Sequence, residues 1–492
     1  MYKISQLTSR RSKAIDPESL LPESILPFPI KITLLLYLLC FVLIWIIPFG
    51  TEGPSTAISY LQGVAFASII AASIALLLRL SIGTCIYAVF VQALFVRLLV
   101  LACFYLLAPA PLTFPGFNIT MPTLAVWNDD VHYVGAAEYI DRMHTTAKEV
   151  VFDEKKLPFP RKVGQIGLLI SFFKGFMGNE QVWLRFITCL IGSLTAVFIV
   201  LSLRRFFSPS AQKLGAALAI IGPEFIQSSL LLYKEVYVHF ASSLFLLALW
   251  MIAKDRGIKA SSGTVAFFGL LLLWWSRQDA FSLAVIFLIL HIAVWMGKIS
   301  NRFAMRICLI VLLTALTMAT FGFGPKSEEI KHVISETSTM QGSSFGWASS
   351  FSGPARVVNI PLSFANPPPF LLHEYVLIQP GNYPWFRTVF RELRTLQWWW
   401  MVPWIVFGLW GIFKRFGKLA TFVMPYMCLW FVAAVTFNGV GPEVVRYRDT
   451  FLPCAVFLAV VGYEFAGKKW RSFAAEITVF AVIGIWLFMN FR

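Results

Sequence analysis

Residues 182–205 read VWLRFITCLIGSLTAVFIVLSLRR, a helix-length apolar run closed by Arg204-Arg205. About twenty such residues is what an α-helix needs to cross a bilayer, and a basic pair at its end marks the cytoplasmic side. The same pattern recurs along the chain. Of 492 residues, 58% are hydrophobic and 13% charged, a balance outside the range of soluble domains. The apolar runs are continuous rather than alternating, so the expected class is an all-α polytopic membrane protein and not a β-barrel. The formal charge of +16 comes from small Lys/Arg clusters between apolar runs. That is the positive-inside pattern with some attraction to anionic membrane lipids, and no nucleic-acid partner is expected. All seven cysteines fall in or beside apolar runs and none forms a Cys-x-x-Cys; a disulfide framework or zinc site is not indicated.

Residues 1–30, with Lys3, Arg10, Arg11 and Lys13, are expected to form a cytoplasmic tail, and residues 31–492 one transmembrane domain. The first apolar run lacks a small-residue cleavage site and is expected to be retained. Apolar runs at 31–49, 56–78, 83–108, 182–203, 212–230, 236–253, 263–276, 280–297, 307–323, 398–413, 419–437, 451–466 and 473–490 predict about thirteen transmembrane helices. Short basic turns, among them Lys414, Arg415 and Lys418, and Lys468, Lys469 and Arg471, then all fall on the inside. Two long segments, 109–181 and 324–397, fall outside. Residues 163–178 are too short to span and suit a helix lying in the interface. There is no convincing internal repeat of the kind that builds transporters from inverted halves.

Acidic residues collect in the outer segments: Asp129, Asp130, Glu138, Asp141, Glu235, Asp279, Glu392, Glu443 and Asp449. In short turns they alternate with cations, Lys234 beside Glu235, Arg277 near Asp279, Arg446 and Arg448 beside Asp449. Turns from several helices converge at one face of a bundle, so these groups are expected to line a polar cavity. Such a cavity suits a phosphate-bearing lipid: arginine binds phosphate bidentately, a carboxylate takes a proton from an attacking hydroxyl, and apolar helix faces hold the tail.

Several of these motifs resemble the GT-C superfamily of integral-membrane glycosyltransferases, which use polyprenyl-phosphate-linked sugars and include protein O-mannosyltransferases and the lipid A aminoarabinose transferase. Asp129-Asp130-Val131-His132-Tyr133 resembles the family's Asp-Glu-x-x-Tyr in the first long outer loop, with Asp130 in place of Glu. Lys162, followed by the run ending Phe176-Met177-Gly178, resembles its interface helix. Val182-Trp183-Leu184-Arg185-Phe186 resembles the helix start that follows, and Leu232-Tyr233-Lys234-Glu235 an acidic turn two helices later. Arg446-Tyr447-Arg448-Asp449 before Pro453 resembles an Arg-rich segment leading into a late helix. The resemblance implies a GT-C-like fold of about 13 transmembrane helices with interfacial helices on the outer face. It implies an inverting transferase passing a sugar from a polyprenyl-phosphate donor to a cell-envelope glycan or lipid acceptor, with Asp129 as general base and Asp130 beside it. Tyr133, Lys162, Lys234, Glu235, Arg277, Arg446 and Arg448 would bind substrate. It also implies a bacterial inner membrane with the active site on the periplasmic side. Two features depart from the family: the catalytic loop follows the third helix rather than the first, and Arg161 stands where some relatives place an acidic metal ligand. No metal site is therefore assigned, though a divalent metal is a possible cofactor.

Plainer roles exist for each residue. Asp129 or Asp130 could cap a helix starting near Val131, Lys162 could snorkel, and Arg446 and Arg448 could anchor to lipid headgroups. Glu235 could simply pair with Lys234. Trp398-Trp399-Trp400 reads as an aromatic belt, and His132 and His144 lack ligand spacing. Alternative activities are a lipid-linked polysaccharide polymerase, or a flippase or transporter of lipid-linked sugars. Transport predicts ionisable residues deep in the helices, whereas this chain places nearly all of them at helix ends. The topology is directly testable: engineered cysteines in 109–163 and in 324–397 should both react with an impermeant label from the non-cytoplasmic side. Opposite accessibility of the two loops would defeat the reading.

Overall fold

The computed structural model describes residues 30–49, 57–82, 84–107, 112–114, 119–121, 128–152, 157–177, 181–204, 206–230, 232, 234–321, 353–364, 385–414, 417–436 and 442–490, several stretches of them by backbone alone. Three helices open it: α1 (Ile30–Phe49), α2 (Ala57–Ile82) and α3 (Thr84–Leu107). The segment after α3 carries a small antiparallel hairpin of β1 (Leu112–Phe114) and β2 (Ile119–Met121), with Thr113 opposite Thr120. Then come α4 (Asn128–Met143), α5 (Ala147–Phe152) and α6 (Arg161–Met177). The bundle continues with α7 (Gln181–Leu203), α8 (Pro209–Ile221), α9 (Pro223–Leu230) and α10 (Lys234–Asp255). It goes on with α11 (Ala260–Ser276), α12 (Gln278–Trp295) and α13 (Asn301–Phe321). After a 3-10 turn at Gly353–Val358 follow α14 (Asn359–Ser363), α15 (Trp385–Lys414), α16 (Ala420–Thr436), α17 (Pro442–Thr450) and α18 (Leu452–Asn490).

The fold is helical, as the continuous apolar runs require, with the hairpin as its one β feature among the described residues. Among the described residues, seven helices are long and apolar enough to cross a membrane: stretches within α2, α3, α7, α10, α12 and α15, and Gly417–Thr436 around α16. Five shorter apolar stretches lie in α1, α6, α11, α13 and the first part of α18. The expected thirteen spans are therefore not reproduced one for one. Apolar residues such as Leu35, Leu38, Ile289 and Ile310 are exposed on α1, α12 and α13, the surface a lipid-facing helix presents. The short apolar run at 163–178 forms a helix, α6, as expected. On α6, Ile166 and Ile170 are buried while Phe172 and Phe176 face out, and Phe176 stacks on Phe66 of α2 with ring centroids 6.1 Å apart.

Three expected boundaries fail for physical reasons. The last two spans, read as 451–466 and 473–490 around a basic inner turn, are one continuous 39-residue helix, α18. At 1.5 Å per residue it is about 58 Å long. Lys468, Lys469 and Arg471 supply charge but no helix-breaking signal, because Lys and Arg are good helix formers. The segment expected outside, 324–397, gives way to α15 at Trp385, thirteen residues before the apolar run expected at 398. The span at 212–230 is broken: α8 ends at Gly222 and Pro223 starts α9. Proline has no N–H to donate and suits the first position of a new helix.

That break lies inside the bundle and strips the end of α8 of its backbone partners, which lipid cannot replace. Arg97 of α3 supplies them. It is fully buried, and its guanidinium donates to Ile220 O and Ala219 O at 3.4 Å, to Ala93 O at 3.0 Å, and to Ser229 Oγ at 3.1 Å. Arg185 of α7, also buried, donates to Leu230 O at the end of α9 (2.5 Å), while Thr188 donates to Ser229 O at 2.6 Å. A side chain at Gly192 of α7 would run into Ser229 and Arg97, so glycine there admits the guanidinium. At the opposite end, Glu464 of α18 accepts from the Ser208 N–H (3.2 Å) and hydroxyl (2.5 Å), placing a carboxylate at the N-terminus of α8, where the helix dipole favours it. Gly408 of α15 and Gly462 of α18 let those two backbones meet; a Cβ on either would strike the other helix's main chain, the use small residues have between membrane helices.

Arg97→Met should be markedly less stable. Each buried acceptor left without a donor costs about 1–3 kcal/mol, so the thermal unfolding midpoint in detergent should fall well below wild type, with Arg97→Lys in between. An unchanged midpoint in Arg97→Met would show that the broken helix does not need this cap.

Candidate functional site

Five chain segments distant in sequence meet where α10 and α12 begin and α11 and α16 end. α9 brings Glu224 and Gln227, and α10 brings His239. Arg277 and Asp279 come from the α11–α12 junction, Arg394, Gln397 and Trp398 from α15, and Tyr447 to Thr450 from α17. Glu224 lies in the first turn of α9 because the Gly222-Pro223 break starts a new helix there, and its N–H is capped by Gln397 Oε1 at 3.1 Å. Its carboxylate pairs with Arg394 Nε. Arg394 Nη1 donates to Gln227 Oε1 at 3.0 Å, and Nη2 to Asp449 Oδ2 at 3.5 Å. The other oxygen of Asp449 accepts from Arg448 Nε at 3.0 Å, and the Arg448 guanidinium lies over the Trp398 ring, 3.8 Å from its centroid.

A second arm runs through Arg277. It donates to Thr450 Oγ1 at 2.8 Å and lies over the Tyr447 ring at 4.8 Å; the Tyr447 hydroxyl reaches Asp279 Oδ2 at 3.4 Å. His239 ties α10 to α17, with Nε2 3.0 Å from Asp449 O and Nδ1 3.2 Å from Ser228 Oγ. Nε2 facing a carbonyl must carry the proton, so Nδ1 accepts from the serine. The cluster therefore holds three guanidiniums and three carboxylates, of which Arg277, Arg448 and Asp449 are buried, Glu224 and Arg394 half-buried and Asp279 exposed. Buried charges persist only when paired and hydrogen-bonded.

The residues singled out in the sequence divide into three groups. Arg277 and Arg448 are both in the cluster, joined through α17. Lys234 and Glu235 open α10, one turn before His239. Tyr133 is buried against Leu232, Val236 and Tyr237, which brings α4 to the start of α10. The side chains of Asp129, Asp130, Lys162 and Arg446 lie outside the described set, so only their backbone positions are given. Asp129 and Asp130 are in the first turn of α4, which begins at Asn128 rather than near Val131. Neither is therefore the cap itself, although both sit where the helix dipole favours acids. Lys162 is the second residue of α6, one turn before Gln165, whose carbonyl accepts from Trp275 Nε1 at 3.2 Å. Trp275 lies two residues before Arg277, so the head of α6 reaches the same end of the bundle.

α4 and α6 are also clamped to each other. Asp141 accepts from Ser171 and pairs with Lys174 at 3.1 Å. Beside it, burial raises Glu138 above the usual carboxylate range, against the pull of Lys174 and Arg142.

Two plain readings are overturned. The tryptophan run is not a belt: Trp398 and Trp399 are buried, Trp398 carries Arg448 and donates to Phe364 O at 3.2 Å, and Trp400 alone of the three is exposed. Arg448 is not a headgroup anchor, since it is 4% exposed and held by Asp449 and Trp398. The sequence reading missed Arg394, Glu224, Gln227 and His239 as site residues. A faint signal existed for the first: Arg394, Gln397 and Trp398 recur at helical spacing and so share one face. Among the described residues, no three His, Cys, Asp or Glu side chains are grouped to hold a metal ion. No family model, curated protein or solved structure matches this chain.

Proposed function

We propose that this protein is a membrane-embedded inverting glycosyltransferase using a polyprenyl-phosphate-linked sugar, with its reaction site at the outer face. The observation that supports the reading is the meeting of Arg277, Arg394 and Arg448 with paired carboxylates at one end of an apolar helix bundle. Guanidiniums pre-set in a low-dielectric site stabilise a phosphate that gains charge as it leaves. Apolar helix faces beside them suit a polyprenyl tail, and the amphipathic α4–α6 layer suits the interface where tail and headgroup divide.

In this reading Asp129 takes the proton of the acceptor hydroxyl. The hydroxyl oxygen forms a bond to the anomeric carbon, the bond from that carbon to the phosphate oxygen breaks, and the lipid phosphate departs with the electron pair. Lys162 and the arginines hold that phosphate. They speed the step to the extent that they bind the leaving monoester better than the donor diester. The acceptor would be a cell-envelope glycan or lipid, and the membrane a bacterial inner membrane. A flippase gains nothing from Arg97, deep in its span, because that arginine is occupied with backbone carbonyls and one serine.

Asp129→Asn should insert and fold normally but transfer sugar about a hundredfold or more slowly, the usual size of a general-base contribution; Asp130→Asn should lose less. The measurement is transfer from a short-chain polyprenyl-phosphate sugar by purified protein in liposomes. Full activity of Asp129→Asn would remove the base assignment, and lipid translocation without transfer to any acceptor would replace the enzyme by a transporter.

A further inference from the structure

One carboxylate lies between two guanidiniums that arrive on different helices. Asp449 Oδ1 accepts from Arg448 Nε at 3.0 Å and Oδ2 from Arg394 Nη2 at 3.5 Å. Each guanidinium is also fixed by other partners. Arg448 lies on the Trp398 ring, while Glu224 and Gln227 hold Arg394 through Nε and Nη1. The Asp449 main chain is anchored too, its carbonyl meeting His239 Nε2 at 3.0 Å. Its side chain can therefore turn away without moving the backbone or dissolving either arginine's remaining contacts. Two oxygens of one anion bridging two oriented guanidiniums is the arrangement a phosphate also adopts.

We propose that Arg394 and Arg448 form a seat for a phosphate group, and that Asp449 is its built-in occupant, displaced when the ligand binds. The ligand's being a lipid phosphate rests on the proposed function; the seat rests on the geometry alone. Asp449 brings one negative charge, whereas a phosphate monoester carries about 1.5 to 2 near neutral pH. A monoester therefore displaces the aspartate more readily than a monoanionic diester does. In a transferase that preference favours the departing lipid phosphate over the donor, the direction that assists the reaction. Before ligand arrives, the aspartate keeps a buried and a half-buried cation paired that would otherwise repel each other.

The test uses purified full-length protein in nanodiscs and three probes: a short-chain polyprenyl phosphate, the corresponding polyprenol and inorganic phosphate. Asp449→Asn keeps the shape and removes the competing charge. It should bind the polyprenyl phosphate about tenfold more tightly than wild type, a 1.4 kcal/mol change, with polyprenol binding unchanged. Equal or weaker phosphate binding in a folded Asp449→Asn would overturn the seat. Glu224→Gln removes a charge from the same arginine without vacating the seat. A gain there as large as in Asp449→Asn would reduce the effect to general electrostatics and also overturn it. Arg394→Gln decides the matter if Asp449→Asn does not fold: it should bind the phosphate at least about tenfold more weakly, and undiminished binding would refute the proposal. A gain on Asp449→Asn seen with inorganic phosphate, together with no binding of the polyprenyl phosphate, would support the seat and remove the lipid donor. Sugar transfer without any Asp449 effect would do the reverse.

Discussion

A helix that breaks inside an apolar bundle must find donors for the carbonyls it exposes, and in this protein that demand falls on Arg97. Its guanidinium fills the end of α8 while Arg185 fills the end of α9. An arginine in hydrocarbon is costly on its own, and open carbonyls are costly on their own; together they satisfy each other. The consequence is directional. Because α8 stops at Gly222, α9 sets off along a new line and carries Glu224 and Gln227 to Arg394. A continuous helix over 209–230 would turn those two residues elsewhere, and the polar cluster would lose one of its five segments.

The cluster is held by the same rule at higher charge. Its buried charges, Arg277, Arg448 and Asp449, are stable only as parts of a connected network, since removing one partner strands another. Its members come from α9, α10, the α11–α12 junction, α15 and α17, so the network also fixes how those helices meet. Trp398 contributes by shape: an aromatic face under Arg448 orients the guanidinium while leaving its edge to Asp449. A network of this kind serves structure well. What makes it a candidate for chemistry is that one carboxylate bridges two arginines, a connection that a different anion can replace.

Much of this was legible in the sequence. Continuous apolar runs gave the helical membrane class, and alternating acids and cations in short turns pointed to Arg277 and Arg448 before any coordinates. The apolar run at 163–178, too short to span, gave α6 as a helix. Other features were hidden for identifiable reasons. The capping roles of Arg97 and Arg185 have no sequence signature, because most of their partners are backbone carbonyls. The Gly222-Pro223 break sits within a run whose overall apolarity masks it. The basic cluster at 468–471 resembled a turn because positive charge, though common in inner turns, does not itself end a helix. The tryptophan run looked interfacial by composition, and only packing could show that two of its rings face inward. Arg394 lay in a stretch read as loop, so its helical spacing to Trp398 carried no meaning until α15 was seen to begin at Trp385.

The central claim is that the polar end of this bundle is an anion-binding reaction site. An experimental structure of the protein with a bound short-chain polyprenyl phosphate would test it most directly. The account predicts the phosphate between Arg394 and Arg448, the Asp449 carboxylate rotated out, Trp398 still beneath Arg448, and the polyprenyl chain running along the apolar helix faces. A phosphate bound elsewhere, with Asp449 still bridging the two arginines, would contradict it.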